Sequence, residues 1–173
     1  FIGSQYQGFF HHVLYFFPNL EELSLTCYWM DFHIIHRYNP KLTYLRVSCD
    51  VFFSVEDSID RFKSLSSLTL NFNLDFTLLD VLPEIRSLKL HEISDVSLPH
   101  LTEKFPNLES LTLKMPKFGS VPNYFDFTED ECVDFFKSME KLVQLTFHTD
   151  KWSGEKLRKV ERYLQYMPNL QIS

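Results

Sequence analysis

The chain of 173 residues contains little glycine, little cysteine and no long hydrophobic run. Only 4 residues are glycine, too few for a Gly-rich phosphate-binding loop or a GxSxG nucleophile elbow. The three cysteines, Cys27, Cys49 and Cys132, are too few and too widely spaced for a disulfide framework or a CxxC zinc site, which favours a reducing compartment. No apolar run approaches the roughly 20 residues that a membrane-spanning helix needs. We therefore expect no membrane association.

Positive charge is also in deficit. Lysine and arginine total 17 against 23 acidic residues, giving a formal net charge of -6. This balance argues against a nucleic-acid partner, because phosphate contacts need a basic surface. No Asn-x-Ser/Thr sequon occurs, so we expect an intracellular location, in the cytoplasm or nucleus. Because the chain starts at Phe1 and stops inside a repeat, we expect it to be a fragment of a longer chain.

Leucine, by contrast, is abundant and follows a repeated pattern. Leu-x-x-Leu-x-Leu occurs six times, with Ile, Val or Phe at 3 of the 18 positions. The copies are Leu20/Leu23/Leu25, Leu42/Leu45/Val47, Leu65/Leu68/Leu70, Ile85/Leu88/Leu90, Leu108/Leu111/Leu113 and Leu142/Leu145/Phe147. Leu170 opens a seventh copy, and the first positions are 22, 23, 20, 23, 34 and 28 residues apart. These spacings are typical of leucine-rich repeats, except for one insertion.

Each repeat predicts a strand followed by a helix. The period-two alternation of the x-Leu-x-Leu-x segment predicts a short strand with its leucines on one side. Helices are predicted over roughly 5–16, 54–63, 75–82, 95–104, 129–139 and 154–166. The predicted fold is α/β, a leucine-rich repeat solenoid of six to seven irregular repeats over residues 1–173. Its parallel sheet would line the concave side and its helices the convex side.

Two segments carry a family resemblance. Phe-Pro-Asn-Leu-Glu-Glu-Leu-Ser-Leu at 17–25 and Phe-Pro-Asn-Leu-Glu-Ser-Leu-Thr-Leu at 105–113 resemble the leucine-rich repeat regions of F-box proteins, and the resemblance spans nearly the whole chain. It implies substrate recognition for a Skp1-cullin-F-box ubiquitin ligase, with a Skp1-type adaptor bound through an F-box outside these residues. The family tends to place Cys or Asn three residues after the last leucine, where this chain has Tyr28, Asp50, Asn73, Ile93, Pro116 and Asp150.

That departure leaves a second interpretation open. The chain would then be a stand-alone leucine-rich repeat scaffold or inhibitor, similar to ribonuclease inhibitor or to a receptor repeat region, with no connection to ubiquitin. Both interpretations assign the chain to protein–protein interaction, because fold alone does not fix function. An F-box upstream of Phe1 would favour the first interpretation, and a nucleotide-binding segment there would favour the second.

The polar positions between the leucines are the expected binding surface. On a stacked sheet they would form columns on the concave face, where another protein would bind. The residues expected to contact it are Tyr44, Arg46, Thr69, Lys89, His91, Thr112, Lys114, Gln144, Thr146 and His148. Tyr44, Arg46, Lys89 and His91 stand out, since aromatic and basic side chains with large contact areas often dominate interfaces. The alternative is a sheet face that is merely solvated.

A second candidate surface is the insertion Lys114–Phe127. Long loops in compact domains are often functional, and Tyr124 and Phe125 would project from this one toward a partner. The alternative is that its aromatic residues pack beneath the loop. After the insertion, Thr128 to Glu131 reads as a capping box, which predicts the start of a helix.

Residues that suggest catalysis or metal binding are few. His33 and His36, near Cys27 and Asp31, would suggest a metal site only if their segment were helical. Cys132, His148 and Asp150 supply the residue types of a nucleophile triad, but no family signature surrounds the cysteine. We therefore expect no metal, no cofactor and no enzymatic activity.

Overall fold

The computed structural model describes residues 13–27, 32–49, 59–71, 76, 79–91, 98–114, 134–135, 137–148, 158, 162 and 171–172. Seven strands lie in these ranges: β1 Glu22–Cys27, β2 Tyr44–Cys49, β3 Ser67–Leu70, β4 Ser87–His91, β5 Ser110–Lys114, β6 Gln144–His148 and β7 Gln171–Ile172. Two helices of seven residues, α1 (Phe32–Tyr38) and α2 (Leu98–Lys104), lie between strands, as does a 3-10 turn at Ile59–Arg61. Every predicted strand is thereby confirmed.

The strands form one parallel sheet in the order β1-β2-β3-β4-β5-β6-β7. Each strand pairs with the next strand of the chain. Parallel neighbours need a crossover connection between them, and several of these connections contain helical residues. The molecule is therefore an α/β protein, as the repeat pattern predicts.

The leucines of successive repeats lie side by side. The register pairs Leu23 with Leu45, and continues through Leu68, Leu88, Leu111 and Leu145. From Leu45 to Leu145 these side chains are fully buried, whereas Leu23 in β1 is partly buried. One continuous apolar layer thus backs the sheet, as the alternation predicts.

A repeated turn precedes the strands. In four repeats an apolar residue, Phe62, Leu82, Phe105 or Met139, is buried and its carbonyl accepts a hydrogen bond from the amide three residues later. In the second repeat Asn39 occupies this position and makes the same backbone bond to Leu42. Asn39 is also fully buried, and neither polar atom of its side chain has a hydrogen-bond partner among the described residues. An amide therefore occupies a site that is apolar in the other four.

The repeats are joined just before the strands. The carbonyl of the residue preceding a strand accepts two amide hydrogen bonds from the following repeat, at 2.8–3.1 Å. Five carbonyls do so: Glu21, Thr43, Ser66, Arg86 and Glu109. Side chains add to this contact, because Asn107 donates to the Pro83 carbonyl and accepts from the Lys141 ammonium group.

The helix predictions are confirmed only in part. Helix α2 lies in the predicted range 95–104, and residues 13–16, 134–135, 137–138, 158 and 162 are helical within three other predicted ranges. Within 54–63 the described helical residues form only the 3-10 turn. The helix predicted over 75–82 is wrong at 79–82, which is irregular. Pro83 follows directly and disfavours α conformation at Leu82, whose amide instead donates to the Lys104 carbonyl.

Helix α1 was not predicted from the sequence. Its residues Phe32 and Ile35 are buried and Tyr38 packs against the core, which is the three-residue spacing of one helical face. In the part of the chain that the structure describes, no helix has the length and hydropathy required to cross a membrane.

Candidate functional site

The polar side chains of the strands form three rows on the face opposite the leucine layer. We call them the polar rows, and the register gives their members. The first contains Glu22, Tyr44, Ser67, Ser87, Ser110 and Gln144; the second contains Ser24, Arg46, Thr69, Lys89, Thr112 and Thr146; the third contains Thr26, Ser48, His91, Lys114 and His148. All ten concave-face residues predicted from the sequence belong to these rows. Their alignment is confirmed, and their role in binding stays a prediction.

Asn71 extends the third polar row. It directly follows β3, and its amide donates to the Val47 carbonyl, which continues the ladder between β2 and β3. Because it follows the buried Leu70, alternation places it on the polar face, between Ser48 and His91. Its side-chain oxygen is buried without a hydrogen-bond partner among the described residues.

The second and third polar rows contain five basic or titratable residues. We call Arg46, Lys89, His91, Lys114 and His148 the basic cluster. Arg46 and Lys89 belong to the second row, and the other three are consecutive in the third. Arg46, Lys89 and His148 are exposed, while His91 and Lys114 are half-buried. The cluster therefore presents positive charge at the surface of an acidic protein.

The pKa of His91 reports the electrostatics of this cluster. It is lowered from its ordinary value, first by burial and then by repulsion from Lys114, Arg46, His148 and Lys89. All four other members of the cluster act on the imidazole in the same direction. His91 is consequently neutral over more of the range near pH 6 than an unperturbed histidine.

Two predicted contact residues are buried. Thr69 is 2% exposed and Thr112 is 9% exposed, although both lie on the polar face. Threonine is short, and the longer side chains of Arg46 and Lys89 flank Thr69 in its row. The Thr69 hydroxyl has no hydrogen-bond partner within the described ranges. Both threonines thus lie on the polar face with little exposed surface, and their predicted contact with a partner stays a prediction.

The remaining predicted members of the surface are accessible to different degrees. Tyr44 and Thr146 are half-buried, and Gln144 is exposed. The Gln144 side-chain oxygen accepts a hydrogen bond of 3.2 Å from the Ser110 hydroxyl, a neighbour in the first row. Lateral hydrogen bonds of this kind orient polar groups along the row.

The insertion after β5 lies outside the described residues, apart from Lys114. Tyr124 and Phe125 lie outside the described residues, as do the capping box at 128–131, Cys132 and Asp150. The second candidate surface and the triad residues therefore stay predictions at the level of the sequence.

His33 and His36 lie on helix α1, which was not among the helices predicted from the sequence. The His33 ring nitrogen is 3.5 Å from an Arg61 guanidinium nitrogen, and the His36 ring packs edge-on against Phe62 at 5.2 Å between centroids. These contacts attach α1 to the 3-10 turn that follows β2. Within the described ranges, no three His, Cys, Asp or Glu residues are grouped so as to hold a metal ion.

The basic character of the polar rows was not predicted from the sequence. Arg46, Lys89 and His91 are predicted there as separate contact residues, and the charge of -6 describes the whole molecule. The signal was the sign of the charged residues at polar strand positions. Three are cationic (Arg46, Lys89 and Lys114) and one is anionic (Glu22).

Comparison with protein-family models and with curated proteins gave no match for this chain. The geometry and charge of the polar rows are therefore the features of this chain that bear on its function.

Proposed function

We propose that this chain is a leucine-rich repeat solenoid that holds another protein on the polar face of its sheet, as the substrate-recognition part of a Skp1-cullin-F-box-type ubiquitin ligase. In this proposal the polar rows line the concave side of the solenoid. The partner is held by shape and by polar complementarity, with no cofactor.

The observation that carries this proposal is the common register of six consecutive strands. A single buried layer of leucines fixes the backbone, so the opposite face offers side chains whose relative positions are set before binding. Such preorganisation reduces the entropy lost when a partner is bound. Tyr44 and Arg46 are of the residue types that most often carry binding energy in interfaces.

The link to ubiquitin ligation depends on the two Phe-Pro-Asn-Leu segments and their resemblance to F-box proteins. Two residues of the second segment have structural roles here, since Phe105 is buried and Asn107 bridges neighbouring repeats. In the first segment Phe17 is 56% exposed. The resemblance therefore supports a shared repeat architecture directly. It supports a ligase role only indirectly, because F-box proteins use that architecture to bind substrates.

The test is affinity purification of the full-length protein from cells with proteasome activity inhibited, read by quantitative mass spectrometry. The face variant Tyr44→Ser/Lys89→Ser is compared with the matched control Tyr15→Ser/Lys63→Ser, which changes an exposed tyrosine and an exposed lysine away from the polar rows. We expect a Skp1-type adaptor and a cullin to be recovered with all three proteins. We expect substrate proteins to be lost only with the face variant.

Two outcomes would contradict different parts of the proposal. Partners recovered without any adaptor or cullin would remove the ubiquitin connection and favour a stand-alone scaffold or inhibitor. Partners retained by the face variant and lost by the control would place the interaction on another surface.

A further inference from the structure

The charge of the polar face is opposite to that of the molecule. From β2 to β6, every charged residue in the polar rows other than histidine is basic: Arg46, Lys89 and Lys114. Counting Glu22 in β1, the rows carry three positive charges and one negative charge, a net of +2 with histidines neutral, while the whole chain carries -6. Solubility alone does not require this segregation, because the remaining surface already supplies net charge.

The cluster has a definite extent across the sheet. Neighbouring strands lie about 4.8 Å apart, so the four steps from β2 to β6 cover roughly 19 Å. Arg46 and Lys89 are two steps apart, and Lys114 and His148 follow at one step each. A single carboxylate or phosphate spans only a fraction of that length. The cluster therefore matches several negative charges in series.

The surface between the charges also favours an extended ligand. Thr69 and Thr112 are both buried, so the second row offers the charged ends of Arg46 and Lys89 rather than a deep recess beneath them. Small molecules are usually bound in concave pockets that cover most of their surface. A polypeptide segment laid across the strands needs no such pocket and covers about 3.3 Å per residue when extended.

Building on the proposed function, we infer that the bound protein contributes an extended acidic segment of about six to eight residues, whose carboxylates lie over the basic cluster. Arg46 and Lys89 pair with carboxylates at one end of the segment, and Lys114 with His148 at the other. His91 lies between them and accepts a proton as the negative charges approach.

A nucleic acid is the competing polyanion, and the charge distribution disfavours it. A nucleic-acid strand continues well beyond 19 Å and would run over the acidic remainder of the chain. A short acidic segment stays on the cluster, and at physiological salt the rest of the molecule is screened beyond roughly 8 Å. Bases stack well on large aromatic side chains, and Tyr44 is the one Phe, Tyr or Trp residue in the polar rows as the described strands define them.

The inferred contact is pH-dependent in a defined direction. In the free protein the pKa of His91 is lowered by burial and by Lys114, Arg46, His148 and Lys89. Carboxylates placed over the cluster oppose that repulsion and raise the pKa, so binding takes up protons near neutrality. Glutamate stays ionised at pH 6, since its pKa is about 4.3. Affinity for an acidic peptide therefore increases from pH 7.5 to pH 6.

The experiment measures fluorescence anisotropy of fluorescein-labelled octaglutamate with the full chain at 50 mM salt. The cluster variant Arg46→Gln/Lys89→Gln/Lys114→Gln is compared with the matched control Arg37→Gln/Lys41→Gln/Lys63→Gln, which removes the same charge from exposed residues outside the polar rows. We expect the cluster variant to bind about tenfold more weakly and the control to bind within about twofold of the unmodified chain. Circular dichroism and the melting temperature check that both variants fold. If the triple cluster variant does not fold, the single variant Lys89→Gln takes its place.

Two further ligands complete the test. Labelled octaglutamine should bind at least about tenfold more weakly than octaglutamate, because it lacks the charges. A labelled 20-nucleotide single-stranded DNA that bound more tightly than octaglutamate, with the same loss in the cluster variant, would assign the cluster to nucleic acid and overturn the inference. Equal octaglutamate affinity for the cluster and control variants would overturn it as well.

The inference and the proposed function fail separately. If octaglutamate affinity is the same in the cluster variant while Tyr44→Ser/Lys89→Ser still loses its cellular partners, the polar face binds protein but its partner is not acidic. If octaglutamate depends on the cluster while no cellular partner depends on the polar face, the acid-binding surface exists and the proposed recognition role is wrong.

Discussion

At the scale of single residues, two polar side chains stand out because of what surrounds them. Asn39 lies in a turn position that Phe62, Leu82, Phe105 and Met139 fill in other repeats. Its buried amide lacks partners among the described residues, and leaving such a group unsatisfied costs about 1–3 kcal/mol. His91 lies among cations that oppose its protonation. Both residues lead to predictions that concern one side chain.

Replacing Asn39 with leucine should stabilise the fold. The two side chains have the same branching, so Asn39→Leu removes two unsatisfied polar atoms with little change of shape, and we expect a gain of about 1–2 kcal/mol. Urea denaturation followed by circular dichroism measures the free energy of unfolding. The matched variant is Asn107→Leu, which breaks the bridge from Pro83 to Lys141 and should destabilise. A loss of stability in Asn39→Leu would show that the amide is bonded in solution.

The stability of the protein should depend on pH through His91. Because the pKa of His91 is lowered in the folded state, the unfolded chain binds more protons below its ordinary pKa of about 6.5. This contribution is fully present above that pH and is lost as pH falls. The unfolding free energy should thus fall more steeply from pH 7.5 to pH 5.5 in the unmodified protein than in His91→Gln. Parallel pH profiles would contradict the lowered pKa.

At the scale of elements, the strands followed from the sequence and the connections between them did not. A strand is recorded in the sequence as period-two alternation, and the Leu-x-x-Leu-x-Leu repeat also fixed its register with the next strand. The helical parts of the connections have no such repeat, and the one apolar face formed by Phe32, Ile35 and Tyr38 was too short a pattern to predict α1. Conversely, the leucine-rich segment before Pro83 read as a helix, although proline and the bond to Lys104 keep it irregular.

In the candidate site, the alignment of residues could be predicted from the sequence and their exposure could not. The alignment of the polar rows was predictable because alternation fixes which side each residue faces. Whether a residue in a row is exposed depends on its neighbours in other strands, and Thr69 is buried for that reason. Burial across strands is a property of side-chain length at positions far apart in sequence. A single repeat does not contain that information.

The leucine layer should dominate the stability of each strand. Leu88 is fully buried between Leu68 and Leu111 in the register, so Leu88→Ala leaves a cavity and should cost about 2–5 kcal/mol. The neighbouring Lys89→Ala removes an exposed side chain and should change stability by less than about 0.5 kcal/mol. Urea unfolding of both variants compares adjacent residues of one strand. Similar losses for the two would contradict the two-faced sheet.

At the scale of the whole molecule, stability should vary along the sheet. Each strand is bonded to its neighbours in the chain, and the carbonyls of Glu21 to Glu109 join consecutive repeats in series. The central strands are covered from both sides, whereas in β1 the residues Leu23 and Leu25 are only partly buried. Local opening requires less free energy where fewer apolar contacts are lost.

Hydrogen–deuterium exchange should therefore be graded. Peptides that contain β3, β4 and β5 should exchange most slowly, and a peptide that contains β1 should exchange sooner, because its leucines lose fewer contacts on opening. Mass spectrometry at pH 7 over seconds to hours resolves the strands by peptide. Uniform protection of all strands would mean that the sheet opens only as one unit.

The side-by-side alignment of equivalent positions also allows a charge to be relocated without changing composition. Ser24 and Arg46 are paired neighbours in the second row, and both are exposed. Exchanging them moves one guanidinium sideways by a single interstrand step, about 4.8 Å, while mass, isoelectric point and the leucine layer stay the same. Variants of this kind separate the effect of where a charge lies on the sheet from the effect of how much charge the protein carries. A change in ligand preference can then be assigned to the position of the charge.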